Sequence, residues 1–406
     1  MRNKTLKKDF IWNTLGSLLH AFNSLFFLIV VTRINGINNS GIFSYGFVIS
    51  NIFLTVAMFG GRNYQITDEK KEFTDNQYKS FRYFTTILSV ILFSLLFLVF
   101  NYSIYKYLII ILLILVRSLE SISDVYFGIL QKNNKLYLVG ISLFLKNLIS
   151  LIVFIITDYM FKNLYISIIS WGIINLLFLT LFDILKAKEV SKEKFKIETK
   201  YKEIFKKTLY FFLFTFIAAF ILNIPRYFID FYLTDELQGI YGIIVMPATM
   251  TALLSQFILQ PYIVKMSEYN NKDINKFKES IKKLFTYTII ISIICIILAY
   301  LIGIPVLNII YNLDLNNYKY HLLIIMIGSS FYALNNLLNV VYTIKRKTKY
   351  QFIIYLISIV LSLIITYFLI KNYELLGGVI SYLIIMLMVF IFYIVRIKKI
   401  INLTDK

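Results

Sequence analysis

The sequence predicts an all-α integral membrane protein, with about twelve transmembrane helices in two six-helix bundles related by a pseudo-twofold axis along the membrane normal. Three observations carry that expectation. The 406 residues are 59% hydrophobic, with mean hydropathy +0.73, whereas a soluble domain is roughly 45–50% apolar; the excess has to face lipid. Apolar runs of about 20 residues recur, long enough to span a hydrocarbon core of about 30 Å. The basic residues collect in every second connection between those runs.

In order, the spans fall at 10–32, 42–61, 83–100, 107–127, 138–157, 164–185, 208–229, 239–260, 284–303, 321–342, 351–370 and 376–395. The basic start and following apolar stretch look like a secretory signal. That stretch runs to Val31, however, and leads into Thr32-Arg33-Ile34-Asn35-Gly36 rather than a small-residue cleavage site. It reads as an uncleaved first span. Residues 304–320 leave room for a half-helix.

Basic residues mark the cytoplasmic side of a membrane protein. Of the 42 Lys and Arg, only Arg33, Lys106, Lys162, Arg226, Lys319 and Lys371 fall on the outer side, and Arg117 and Lys146 lie inside spans. All the rest fall on the inner side, which predicts both termini in the cytoplasm. A miscounted span would scramble this alternation.

The longest basic segment, 186–207, divides the chain into residues 1–200 and 201–406, six spans each. Short similarities support two copies. Gly41-Ile42-Phe43-Ser44-Tyr45-Gly46 opens span two and Gly239-Ile240-Tyr241-Gly242 opens span eight. Ile129-Leu130-Gln131-Lys132-Asn133-Asn134-Lys135 follows span four, and Thr343-Ile344-Lys345-Arg346-Lys347-Thr348-Lys349 follows span ten. An even number of spans per copy gives both halves one orientation, a transporter plan with the substrate site between halves near the midplane.

Composition also excludes classes. The net charge of +20 reflects topology, not nucleic acid. The one cysteine, Cys295, and two histidines, His20 and His321, cannot build a disulfide or a Cys- or His-rich metal centre. There is no P-loop, GxSxG or HExxH motif. No polar segment is long enough for an ATPase domain. The expectation is a non-enzyme without cofactors, driven by an H+ or Na+ gradient or by substrate gradients.

Charge inside a bilayer is costly and normally meets a partner or a water-filled cavity. Span four carries Arg117, Glu120 and Asp124, whose i, i+3, i+7 spacing puts them on one helical face. Arg117 sits about 15 Å deep, and Lys146 on span five about 12 Å in from the cytoplasmic side. The depths allow a Lys146–Glu120 pair, either as a clasp between helices or as cavity lining. Span one has a polar stripe of Asn13, Ser17, His20 and Ser24; span seven has Thr215, Asn223, Arg226 and Asp230. Such faces pack on protein or water rather than lipid. His20 reads either as a proton-coupling group or as a hydrogen-bonded packing residue. Arg33 breaks the charge pattern and is informative for that reason. Arg62 and Lys265, at the inner ends of spans two and eight, read as topology determinants. An anionic pyrophosphate suits forked arginine donors.

The chain resembles the Wzx-type O-antigen and polysaccharide-unit flippases, relatives of the MATE exporters and the lipid II flippases. The resemblance is strongest at Asn13-Thr14-Leu15-Gly16 leading to Arg33-Ile34-Asn35-Gly36, at Asp124-Val125-Tyr126-Phe127-Gly128 through Lys135, and at Asn223-Ile224-Pro225-Arg226-Tyr227 leading to Gly239-Ile240-Tyr241. It implies a MATE-like V of two bundles with a central cavity and alternating access. It implies an undecaprenyl-pyrophosphate-linked oligosaccharide as substrate, and a polysaccharide polymerase and chain-length regulator as partners in the bilayer. It implies cavity roles for His20, Arg33, Arg117, Glu120, Asp124, Lys146, Arg226 and Asp230. Two rival readings stay open: an O-antigen polymerase, which would carry a large outer loop, and a MATE-type ion-coupled exporter, which would favour acidic groups.

Overall fold

A computed structural model describes residues 2–68, 72–191, 196–198 and 200–401, and among these every regular element is helical. The helices are α1 (Arg2–Met58), α2 (Gly61–Thr67), α3 (Asp75–Leu98), α4 (Ile104–Lys132), α5 (Leu136–Phe161), α6 (Leu164–Phe178), α7 (Ile184–Lys188), α8 (Tyr201–Tyr232), α9 (Asp235–Lys272), α10 (Ile274–Leu298), α11 (Ile304–Tyr311), α12 (Lys319–Ile344) and α13 (Thr348–Ile401).

Nine helical stretches among the described residues are long and apolar enough to cross a membrane. Two of them are double. Inside α1 the helical path is broken at Gly36, with φ 82° and ψ 174°. In a straight helix residues eight apart stand about 12 Å apart, yet the hydroxyls of Thr32 and Ser40 are hydrogen-bonded at 2.7 Å, so the chain folds back there. α13 is broken at Glu374, with φ 49° and ψ −127°. A Cβ on Gly377 would run into the backbone of Leu369, which marks a second fold-back. The helix α4 completes the set. It has the length to span but carries Arg117 near its middle and Glu120 and Asp124 in its inner half. Together these give the twelve crossings that the sequence predicts.

Residues 304–320 do hold a short helix, α11, which continues α10 through a π turn at Ala299–Gly303 and ends at Asn312, φ 55°. The third helix begins at Asp75, eight residues before the apolar run, because Thr74 caps it. The Thr74 hydroxyl accepts from the Gln77 amide at 3.2 Å, and the Gln77 side chain accepts from the Thr74 amide at 3.1 Å. A π turn at Leu179–Asp183 joins α6 to α7.

The chain forms two compact units, Met1–Phe216 and Ile217–Lys406. In the first, Phe27 packs against Phe154 and Trp171, with ring centroids 4.6 Å apart in each pair. α1 and α5 approach closely at Gly16 and Gly140, where any Cβ would collide with backbone of the other helix. In the second unit, Asn335 donates to the Met386 carbonyl at 2.9 Å and Tyr342 to the Tyr393 carbonyl at 2.8 Å, tying α12 to α13. Ile87, Ile91 and Leu95 on α3, and Ile290, Ile294 and Ile297 on α10, are exposed. Apolar rows outside and polar bonds inside are what a lipid solvent selects.

Candidate functional site

The site grows from one face of α4. Arg117, Glu120, Asp124, Phe127 and Gln131 follow each other at spacings of three and four, so they form a single stripe. Each member meets a partner within the first unit.

At the outer end of the stripe, Arg117 pairs with Glu120 one turn on. Its guanidinium lies over the rings of Phe47 and Trp171, 4.6 and 5.7 Å from their centroids. The side chains of Arg117 and Glu120 are 5% and 10% exposed. The small pair Gly16–Gly140 then matters, because it lets α1 lie against α5. Asn147 on α5 thereby accepts from Asn23 at 2.8 Å, and His20 Nδ1 stands 3.4 Å from the same oxygen. The charges acting on His20 are those of Glu120, Arg117 and Lys146. Four of the predicted residues therefore form one electrostatic group.

Lys146 departs from expectation. Its ion pair is with Asp183, at 4.0 Å, and not with Glu120, which is held by Arg117. Asp183 also accepts from Ser142 at 2.5 Å. The π turn at Leu179–Asp183 adds a residue to one turn and so changes the helix face on which Asp183 falls. Sequence reasoning missed Asp183 because uniform helical counting leaves it at the inner end of span six.

Asp124 holds two arginines that the sequence assigns to topology. Arg82 Nη2 meets its Oδ2 at 2.7 Å and Arg62 Nη1 meets its Oδ1 at 3.2 Å. Arg82 is buried because the early start of α3 places it two turns into the helix; it also donates to the Ala57 carbonyl at 3.3 Å. Arg62 is positioned by a sharp corner. Phe59 and Gly60 both have positive φ, 47° and 68°, and the chain turns into α2. The missing Cβ of Gly128 leaves room for the Gln65 side chain of α2 against α4. Gln65 donates to the Val125 carbonyl at 3.3 Å. The Thr74 capping sequence and the paired glycines at 60 and 61 were the signals available for these two arginines.

The other predicted residues lie elsewhere. Arg33 is exposed, beside the Gly36 fold-back. Arg226 and Asp230 belong to the second unit and are buried, with the Arg226 guanidinium 5.6 Å from the Tyr241 ring centroid. On the two expected polar stripes, Asn223 donates to its own helix at the Ala219 carbonyl, 3.0 Å away, and Ser17 is exposed. Among the described residues no group of three His, Cys, Asp or Glu could hold a metal ion.

These features define a class: a polytopic helical membrane protein with charge buried at span depth, folded as MATE-like transporters are. The chain belongs to the polysaccharide biosynthesis protein family, which matches residues 6–267. It is 25% identical over 410 residues to the capsular polysaccharide biosynthesis protein CapF of Staphylococcus aureus, covering 97% of this chain and 99% of that one. Its fold is similar to an inward-facing multidrug resistance MATE family transporter of the MOP superfamily, with a TM-score of 0.71 at 11% identity over 97% of this chain and 96% of that one. It is also similar to the lipid II flippase MurJ in an inward closed conformation, with a TM-score of 0.70 at 17% identity over 96% and 87%.

Proposed function

We propose that this protein flips an undecaprenyl-pyrophosphate-linked oligosaccharide, an O-antigen or capsule repeat unit, from the cytoplasmic to the periplasmic leaflet by alternating access. The observation that carries the reading is the buried charge along α4. Arg117, Glu120, Lys146 and Asp183 are all at most 10% exposed by side chain at span depth. Ionisable groups in a membrane are retained where they serve an ion or substrate pathway. The family and the MurJ-like fold favour a lipid-linked glycan as the cargo, and arginine is the cation best shaped for its phosphates.

In this mechanism the pyrophosphate is drawn to cations of the first unit, Arg117 and Lys146, and of the second, Arg226. The carboxylates of Glu120 and Asp183 hold Arg117 and Lys146 oriented between cycles, and Asp230 lies one helical turn from Arg226. His20, beside Glu120 in the electrostatic group, is the group placed to exchange a proton if an H+ gradient drives the return step. The glycan travels in water while the prenyl tail stays in lipid. A polymerase and a chain-length regulator would consume the product outside.

The test is deletion and rescue in a strain that makes the matching glycan. Loss of surface polysaccharide, with lipid-linked single units accumulating on the cytoplasmic side, is the expected result. Single units reaching the outer face without chain extension would identify a polymerase instead. Arg117→Ala and Lys146→Ala are expected to lower flipping at least tenfold while the protein still inserts; normal flipping by both would remove them from the mechanism.

A further inference from the structure

Arg62 and Arg82 share one carboxylate. Arg82 is 1% exposed by side chain and holds Asp124 at 2.7 Å; Arg62 is 26% exposed and holds the other oxygen at the longer 3.2 Å. The second Arg62 amino group donates to Gln131, a neutral amide, at 2.8 Å. Its guanidinium also faces the Phe127 ring at 5.8 Å, and Lys146 faces the same ring at 5.2 Å. Two guanidiniums over one carboxylate leave one positive charge in excess. The buried arginine holds the carboxylate more tightly, so the surplus resides on Arg62, the member that solvent reaches. The corner at Phe59–Gly60 and the Gln65 hydrogen bond to the Val125 carbonyl of α4 hold the segment that carries it. A fixed, forked, half-satisfied cation is suited to a doubly anionic phosphate group, which offers two oxygens at fork spacing.

We propose that Arg62 is a diphosphate contact at the cytoplasmic end of the first unit, with Asp124 and Gln131 as the resting partners that the diphosphate displaces. Arg82 is a positioning residue that neutralises Asp124 and keeps Arg62 available. The inference rests on the flippase reading and extends its site toward the leaflet from which the substrate enters.

The experiment uses the full-length protein in detergent, with farnesyl diphosphate and inorganic pyrophosphate as separate probes, followed by thermophoresis. Binding of both identifies the phosphate group as the recognised element; binding of farnesyl diphosphate alone adds the lipid to it. Arg62→Gln is expected to weaken farnesyl diphosphate binding about tenfold, and Arg62→Lys by less, because lysine keeps the charge and loses the fork. Asp124→Asn removes the competitor and is expected to tighten binding several-fold. A static clasp predicts the opposite: Asp124→Asn would disorder the site and weaken binding. Gel filtration and thermal unfolding of each variant verify folding, and Arg62→Lys serves as the conservative substitution. Unchanged binding in Arg62→Gln, weaker binding in a folded Asp124→Asn, or no binding of either probe by the natural protein would overturn the assignment. If the probes fail in one of these ways while the deletion strain accumulates cytoplasmic lipid-linked units, the flippase reading stands and Arg62 falls. If it accumulates none, the reading itself falls, whatever the probes do.

Discussion

Lys146 and Asp183 offer the sharpest quantitative test. Their side chains are 4% and 0% exposed and their charged atoms stand 4.0 Å apart. At an effective dielectric of about 20, two unit charges at that distance attract by about 4 kcal/mol. Desolvation of both ions opposes that, so the net worth of the pair is small, but removing one partner strands the other. Lys146→Met leaves the Asp183 carboxylate buried with hydroxyl donors such as Ser142 and no cation, and Asp183→Asn leaves a buried ammonium over Phe127. Each single change is expected to cost about 3 kcal/mol, or about 6–12 °C in the unfolding midpoint of a unit this size. The double variant Lys146→Met/Asp183→Asn leaves no stranded charge and is expected to recover at least about 2 kcal/mol of the summed loss. The assay is thermal unfolding in a fixed detergent, read as a double-mutant cycle. A parallel cycle pairs Lys146→Met with Glu120→Gln. Additive losses in the Asp183 cycle, with coupling in the Glu120 cycle, would refute the assignment of Asp183 as the partner.

Further outcomes are expected from the folds in the chain. Gly36→Ala forces a side chain to φ 82° and ψ 174° in open space, so it is expected to cost only the conformational penalty, about 1–3 kcal/mol, in thermal unfolding. Gly140→Ala sets a methyl group against the backbone of Trp12 and Asn13 and is expected to cost more, with loss of monodisperse protein in gel filtration. Equal losses at the two sites would undercut the close-packing argument. Between α2 and α3, burial works to raise the Asp68 carboxyl, but the amides of Glu72 and Phe73, the Tyr78 hydroxyl and Lys132 outweigh it and hold the carboxyl below its ordinary value. A depressed folded value means that this stabilisation is full above the unfolded value near pH ~4 and is lost as pH falls through the lower folded value. Hydrogen exchange at the Glu72 and Phe73 amides is expected to accelerate in that acid range, and Asp68→Asn should make it fast at all pH. An acid limb that survives Asp68→Asn would place the cause elsewhere.

How much of this the sequence disclosed depends on which physical signal was strong. Span number came through because hydropathy and charge alternation are long-range averages that tolerate errors in any one boundary. The stripe on α4 was half visible: Arg117, Glu120 and Asp124 stand out against an apolar background, whereas Phe127 and Gln131 at the next spacings do not. Helical counting assumes 3.6 residues per turn, and the π turn at Leu179–Asp183 breaks that assumption where Asp183 matters. Arg62 and Arg82 were hidden by a different logic. Both sit among cytoplasmic lysines that serve topology, and what separates them is local geometry, a two-residue corner at Phe59–Gly60 and a helix cap at Thr74. Neither raises hydropathy.

The charged stripe also bears on how the chain is made. A helix released singly into the bilayer meets a toll of about 2.5–3.5 kcal/mol for each Arg, Lys or Asp at its centre, and the stripe on α4 holds three ionisable side chains together with Gln131. On leaving the ribosome it would lodge in lipid poorly by itself. Arg82 is already synthesised by then, but Lys146 and Asp183 arrive only with the two helices that follow. The first unit therefore has to be inserted as a group, with α4 sheltered at the membrane gate until its neighbours arrive. Changes that add a charge to the stripe should then show up first as failures of biogenesis, in nascent chains that never leave the insertion machinery.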